Sequence, residues 1–391
     1  MKYNFDKIVD RTGTGCLKHD FNEKIFGKKD VISMWVADMD FESPDFIVNS
    51  LMNRVKHPVY GYTIRPDSLY ESIINWIGKK HNWNIKKEWI TFCTGVVPSL
   101  HYCVKALTKP GDRVIVQPPV YYPFFSVIKE NDRIIQNNPL KLIDGRYTIN
   151  FDDLEKNTDE KTRMMFLCSP HNPGGRVWLK NELERLVKFC IERNIIIISD
   201  EIHADMVYKP FRHIPAASLS EEISQHIVTL MAPTKTFNLA GLAVSYIISE
   251  NKDLLYKLNT YLDRTHINSI NIFGMNAMET AYTKGELWLD ELMQYLYNNF
   301  VFLEEYLTNE LPEINIMKPE ATYLAWMDFS LLDLNGMKLK DFIIEKAGLG
   351  LNNGPVFGIG GEGFQRLNFA CPRSILKKGL ENLTKAVKKN R

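Results

Sequence analysis

Lys235 sits in Thr229-Leu-Met-Ala-Pro-Thr-Lys-Thr-Phe-Asn-Leu-Ala-Gly241, just after an apolar run, Ile227 to Met231, that predicts a β-strand. A lysine there stands at the carboxyl end of a strand, where open α/β sheets place their ligands. Small and hydroxyl residues surround it, and no acidic residue follows within a helical turn. Its amine is a useful nucleophile toward a carbonyl only when partly desolvated, so that its pKa falls. A lone lysine is ordinarily a solvated one. A second segment changes that reading. Ile195-Ile-Ile-Ile-Ser-Asp-Glu-Ile-His-Ala-Asp205 predicts a buried strand that delivers Asp200 to the same kind of strand end. A strand-end lysine and a strand-end aspartate are two parts of a pyridoxal phosphate (PLP) site: the Schiff-base lysine and the carboxylate that keeps the pyridine nitrogen protonated.

Other segments supply candidates for the rest of such a site. Trp89–Cys93 runs into Thr94-Gly-Val-Val-Pro98 and a helical pattern through Lys105. The free amides of Gly95, Val96 and Val97 would make an anion site for a phosphate. The same stretch reads equally as a plain strand-to-helix turn. Tyr121, in Val120-Tyr-Tyr-Pro123, is placed either to stack on a cofactor ring or to cap the core. Ser169-Pro-His-Asn-Pro-Gly-Gly-Arg176 is a rigid turn that must hold Asn172, whose amide could donate to a phenolic oxygen. His203 either joins the Asp200 network or is structural, and Glu201 and Asp205 are read as solvated or structural. Arg373, in Asn368-Phe-Ala-Cys-Pro-Arg373, offers a planar guanidinium for a substrate carboxylate.

The elements that must position these residues alternate. Apolar runs at Trp89–Cys93, Arg113–Gln117, Met164–Cys168, Ile195–Ile198, Ile227–Met231 and Val244–Ile248 are separated by helical patterns, such as Asn181–Arg193. This predicts an α/β fold with a mostly parallel sheet flanked by helices. A long amphipathic helix is expected from Glu286 to Leu311, stopped by Pro312. Strands are then expected at Tyr323–Asp328 and Arg366–Phe369, with a glycine-rich loop from Gly350 to Gly363 between them.

The net charge of +1 gives no electrostatic case for a nucleic-acid partner or an anionic membrane. No apolar stretch of about eighteen residues predicts a membrane span. The amino-terminal residues lack a signal-peptide core, and the six cysteines are scattered without a Cys-x-x-Cys pair. Together these predict a cytoplasmic protein with reduced thiols. The histidines show no metal-ligand spacing, so no metal is expected.

As an ordered set, these residues resemble the fold-type I PLP enzymes, the class I/II aminotransferase superfamily, from about Val31 to Arg373. Trp35-Val-Ala-Asp-Met-Asp-Phe41, Gly61-Tyr-Thr63, Pro119–Pro123, Asp200-Glu-Ile-His203, Lys235–Gly241 and Asn352-Asn-Gly-Pro-x-Phe357 look like its cystathionine β-lyase (C–S lyase) branch, related to the maltose-regulon modulator. The resemblance implies a large PLP-binding domain and a smaller α+β domain formed by both chain ends. The expected division is 1–50, 51–288 and 289–391. It implies that Tyr62 reaches the phosphate of a neighbouring subunit in a homodimer with shared sites, that Tyr121 stacks on the ring, and that Ala37 lies by the substrate carboxylate. The substrate is a small amino acid, also met by Tyr121, Asn172 and Arg373. Two positions depart from many aminotransferases. Ala243 stands where an arginine grips the phosphate, and Ala232 where a serine is common; Thr234 and backbone amides would substitute. The reading is a C–S β-lyase with Lys235 as base, yielding a thiol, pyruvate and ammonia. Transamination and a regulatory binding protein on the same fold are the alternatives.

Overall fold

The computed structural model describes residues 2–267, 269–334 and 336–390. Short apolar runs form a seven-stranded sheet: β1 Ile90–Cys93, β2 Arg113–Val116, β3 Ile134–Asn137, β4 Thr162–Cys168, β5 Ile196–Asp200, β6 Ile227–Met231 and β7 Ser245–Ile248. Their spatial order is β1-β7-β6-β5-β4-β2-β3. Along each strand, successive side chains enter opposite cores, as the two-residue period requires. Val114, Ile198, Val228 and Ile247 point to one side; Ile115, Ile197, Ile227 and Ile248 point to the other. Both faces are covered by helices, which is why these strands are apolar without alternation. The principal helices are α1 Asp45–Val55, α2 Asp67–His81, α3 Val96–Leu107, α4 Lys180–Glu192, α5 Lys252–Arg264, α6 Ile272–Lys284, α7 Glu286–Glu310 and α8 Arg373–Asn390.

Six strands run the same way, and β7 is antiparallel to both its neighbours. The β6–β7 connection explains this. It carries the Lys235 loop and no α-helix, only a short 3-10 turn at Ala240–Leu242, so it cannot make the crossover a parallel return needs. The carboxyl ends of β1, β2, β4, β5 and β6 therefore meet along one edge, with the expected ligand-bearing residues just beyond them.

A second, antiparallel sheet has β8 Asn315–Met317, β9 Leu324–Asp328, β10 Asn352–Asn353 and β11 Phe364–Asn368 in the order β8-β9-β11-β10. Strand β10 lies inside the stretch expected to be loop. The early segment Ile32–Ser33 pairs in parallel with Leu349–Gly350, tying the two ends of the chain together. The boundary expected between residues 288 and 289 falls inside α7, whose observed end before Pro312 matches the amphipathic pattern. Among the described residues, no helix is long and apolar enough to cross a membrane.

Candidate active site

The lysine loop is held from below. Thr236 Oγ1 donates to Asp205 Oδ2 at 2.9 Å, and Asp205 Oδ1 accepts from Trp76 Nε1 at 3.0 Å and pairs with His81 Nε2 at 2.9 Å. Asp205 is thus a structural anchor on the residue after Lys235. On the other side, Asn238, in a left-handed turn, donates to Met39 O and Phe41 O and accepts from Met39 N–H. This clamps the segment 35–41 across the loop. Lys235 Nζ reaches Ala37 O at 2.5 Å. Burial of the amine pulls its pKa down to about 8; Arg366 acts in the same direction, while Asp38 and Asp200 oppose it.

Asp200 ends β5, in register with Cys168 at the end of β4. It is buried, and its carboxylate takes one hydrogen bond, from Ile202 N–H at 3.2 Å. Burial raises its pKa to about 7. An acid in that state wants a cationic N–H partner, which would restore the charged form. Beyond β1, the unpaired amides at the start of α3 open toward the same space and would satisfy an anion.

The turn after β4 is locked to the second sheet. Arg176 makes a bidentate pair with Glu182 at 2.7 Å and bonds Glu320 at 3.1 Å. Gly175 is required here, because a Cβ would stand 2.8 Å from Pro319 Cβ and φ is +64°. The turn places Asn172 Oδ1 at 2.9 Å from Arg366 Nη1. A guanidinium only donates, so this bond fixes the amide orientation and leaves its NH₂ to donate toward the cavity.

Arg366 lies in the middle of β11 and is 2 % exposed. Its Nη2 donates to Trp35 O at 2.9 Å and Asn352 Oδ1 at 2.6 Å, while Nε is buried without a partner. Among the described residues, no carboxylate pairs with it. A buried cation held only by neutral acceptors is an incomplete site for an anion.

Between these elements lies a cavity of about 200 Å³ lined by Ala37, Gly95, Val96, Val97, Tyr121, Asn172, Asp200, His203, Thr234 and Lys235, with Cys168, Ala243 and Val244 among the others. His203 stays neutral there: burial, then Lys235 and Arg366, lower its pKa to about 3. Two expected residues lie elsewhere. Tyr62 is fully exposed, away from this chain's cavity. Arg373, expected at the substrate carboxylate, is not among the residues lining the cavity. It opens α8, donates from Nε to Asn299 Oδ1 at 2.7 Å and lies over the Phe302 ring, so it packs on α7. Arg366 is the buried guanidinium beside the cavity, bonded to its lining residue Asn172. An arginine inside an apolar strand was the signal for it, since such a position buries the charge. Ala243 adopts a left-handed conformation at the cavity wall, where an arginine had been noted as missing.

The model of the family described as aminotransferase class I and II matches residues 30–383. The chain belongs to this family. It is similar to the cystathionine beta-lyase PatB of Bacillus subtilis (strain 168), 42 % identical over 385 residues, covering 98 % of this chain and 100 % of that protein. Among solved structures it is similar to cystalysin from Treponema denticola, which contains a pyridoxal 5'-phosphate cofactor: TM-score 0.96, 35 % identity, all of both chains covered. It is also similar to a PLP-bound C–S lyase from Staphylococcus hominis, with TM-score 0.92 and 34 % identity over 99 % of this chain and 100 % of the other. Like these relatives, the chain has the α/β fold built on one large, mostly parallel sheet.

Proposed function

We propose that the protein is a PLP-dependent carbon–sulfur β-lyase acting on cystathionine or a related S-substituted cysteine. The observation that carries this is that Lys235, with its lowered pKa, lines a small cavity whose Asn172 is bonded to Arg366, a buried guanidinium with no carboxylate partner among the described residues. The cavity fits the cofactor. Asp200 suits a protonated pyridine nitrogen, the Gly95–Val97 amides suit a phosphate, the Asn172 NH₂ suits a phenolic oxygen, and Tyr121 offers its ring to the cofactor face. When bound, PLP supplies an electron sink for the pair left when the substrate loses its Cα proton.

The chain's own residues do the rest. Arg366 offers its charge and its remaining N–H donors to the α-carboxylate and so fixes the substrate's orientation. Lys235 Nζ, whose pKa burial lowers to about 8, takes the Cα proton in its neutral form. The Cβ–S bond then breaks with its electron pair leaving on sulfur, and the protonated Lys235 amine is placed to return a proton to the departing thiolate. Water completes the reaction, giving pyruvate and ammonia. Transamination of an acidic amino acid is less well served: with Arg366, bonded to the cavity-lining Asn172, given to the α-carboxylate, Lys235 is the one other lysine or arginine at the cavity among the described residues.

The exposed apolar run Val59, Tyr60, Tyr62 and Ile64 supports a homodimer in which Tyr62 completes the partner's phosphate site. The six free cysteines suit a reducing cytoplasm. A panel of S-substituted cysteines tests the activity: thiol and pyruvate are expected together, and Lys235→Ala is expected to abolish both. Release of neither product by the PLP-loaded wild type would refute the reading.

A further inference from the structure

Thr322 is fully buried with φ +72°, a left-handed conformation that a β-branched residue adopts only where its surroundings impose it. Three hydrogen bonds do so. Its N–H donates to Met206 O at 2.7 Å, its carbonyl accepts from Tyr208 Oη at 2.7 Å, and Oγ1 accepts from Leu324 N–H at 3.2 Å. The strained turn aims the next side chain, Tyr323, at the lysine. Tyr323 Oη donates to Ala37 O at 3.0 Å, the same oxygen that accepts from Lys235 Nζ at 2.5 Å. That carbonyl cannot swing away. Asn368 Nδ2 holds the carbonyls on either side of it, Val36 O and Asp38 O, each at 2.6 Å, and Asn238 holds Met39 N–H at 3.0 Å.

We infer that Tyr323 is a positioning residue for the free Lys235 amine: it fills one lone pair of the Ala37 carbonyl, leaving a single, weakened acceptor that orients the amine without trapping it as ammonium. This rests on the PLP-lyase reading, in which the amine must act as a base once released. A carbonyl oxygen has two lone pairs, and an N–H donated to it leaves the amine's own lone pair uncommitted. A second donor on the same oxygen reduces its pull on the first, and that pull favours ammonium. The other groups facing the amine are Asp38 and Asp200, which favour ammonium, Arg366, which opposes it, and His203, which is neutral. The Tyr121 and Tyr323 phenols are pushed up by burial and stay protonated. Asp38, Asp200, Arg366, His203 and Tyr121 all stay in place in Tyr323→Phe. That variant orphans no buried group, because Ala37 O keeps the lysine.

The test is the pH dependence of Lys235 acylation by acetic anhydride in the PLP-free protein, read by peptide mass spectrometry, beside the kcat–pH profile of the loaded enzyme. In Tyr323→Phe, the Lys235 midpoint is expected to rise by about half to one pH unit, the worth of one neutral hydrogen bond, with other lysines unmoved. The acid limb of kcat should move with it while KM changes little. A Tyr323 that served only packing would lower activity alike at every pH and leave the labelling midpoint in place. That result, or a downward shift, overturns the inference. An unmoved midpoint in an enzyme that releases thiol leaves the lyase reading intact; a raised midpoint without thiol release does the reverse.

Discussion

At the scale of single residues, the proposed function gives the two arginines different work, recognition to Arg366 and architecture to Arg373. Hydrogen bonds to charged groups are worth about 1.5–3 kcal/mol, so Arg366→Ala should lower kcat/KM at least roughly ten- to a hundredfold. An analogue lacking the α-carboxylate should suffer far less. Arg373→Ala should leave kcat/KM within about twofold, because that side chain holds Asn299 and Phe302 rather than the cavity. Steady-state kinetics on both variants checks this, and the opposite ranking would restore Arg373 as the anchor. Lys235, Asp200 and Asn172 were legible because each follows a strong strand signal by a few residues, and strand ends are where such folds work. Arg366 was hidden inside a strand that itself was legible, since a one-dimensional pattern does not say that its neighbours across the sheet offer no acid. Asp205 read as solvated or structural, and its contact with Thr236 shows the structural role.

At the scale of elements, the segment 35–41 is the roof of the cavity, and an ion cluster clasps it from outside. Lys18, 1 % exposed, bonds Asp40 at 2.7 Å, and Arg11 bridges Asp38 at 2.6 Å and Asp40 at 2.8 Å. Burial works to raise the Asp40 pKa, but Lys18 and His19 outweigh it, so the folded value lies well below the ordinary 3.8. A depressed carboxylate pKa contributes stability that is complete above the unfolded value and is lost as pH falls through the folded one. Asp40→Asn should therefore cost up to about 3–5 kcal/mol near neutrality, because the buried Lys18 keeps only the longer contact to Asp38, at 3.7 Å. Denaturant titrations of both proteins should show that gap closing below about pH 4. A gap independent of pH would mean that packing, not charge, carries the clasp. Strand positions were legible from apolar runs to within a few residues. The antiparallel sense of β7 was not, because direction is set by what the connection can span. The clasp was invisible too: Arg11 and Lys18 stand some twenty to thirty residues from their partners.

At the scale of the whole molecule, the proposal that the site borrows Tyr62 from a second copy makes a specific demand. Lys235→Ala and Tyr62→Ala should each be nearly inactive, yet refolding them together should restore about a quarter of wild-type activity, since half of randomly paired dimers regain one intact site of two. No restoration would place Tyr62 outside the site. The central claim concerns what the assembled site does with the electron pair left at Cα, and one measurement decides it. The PLP-loaded protein is given an S-substituted cysteine such as cystathionine with no keto acid present, and thiol, pyruvate, ammonia and the final form of the cofactor are all quantified. Sustained release of the three products in equal amounts, with the cofactor recovered as PLP, is the predicted result. A halt after one turnover with stoichiometric pyridoxamine phosphate, relieved only by adding a keto acid, would contradict the lyase account and make the protein an aminotransferase.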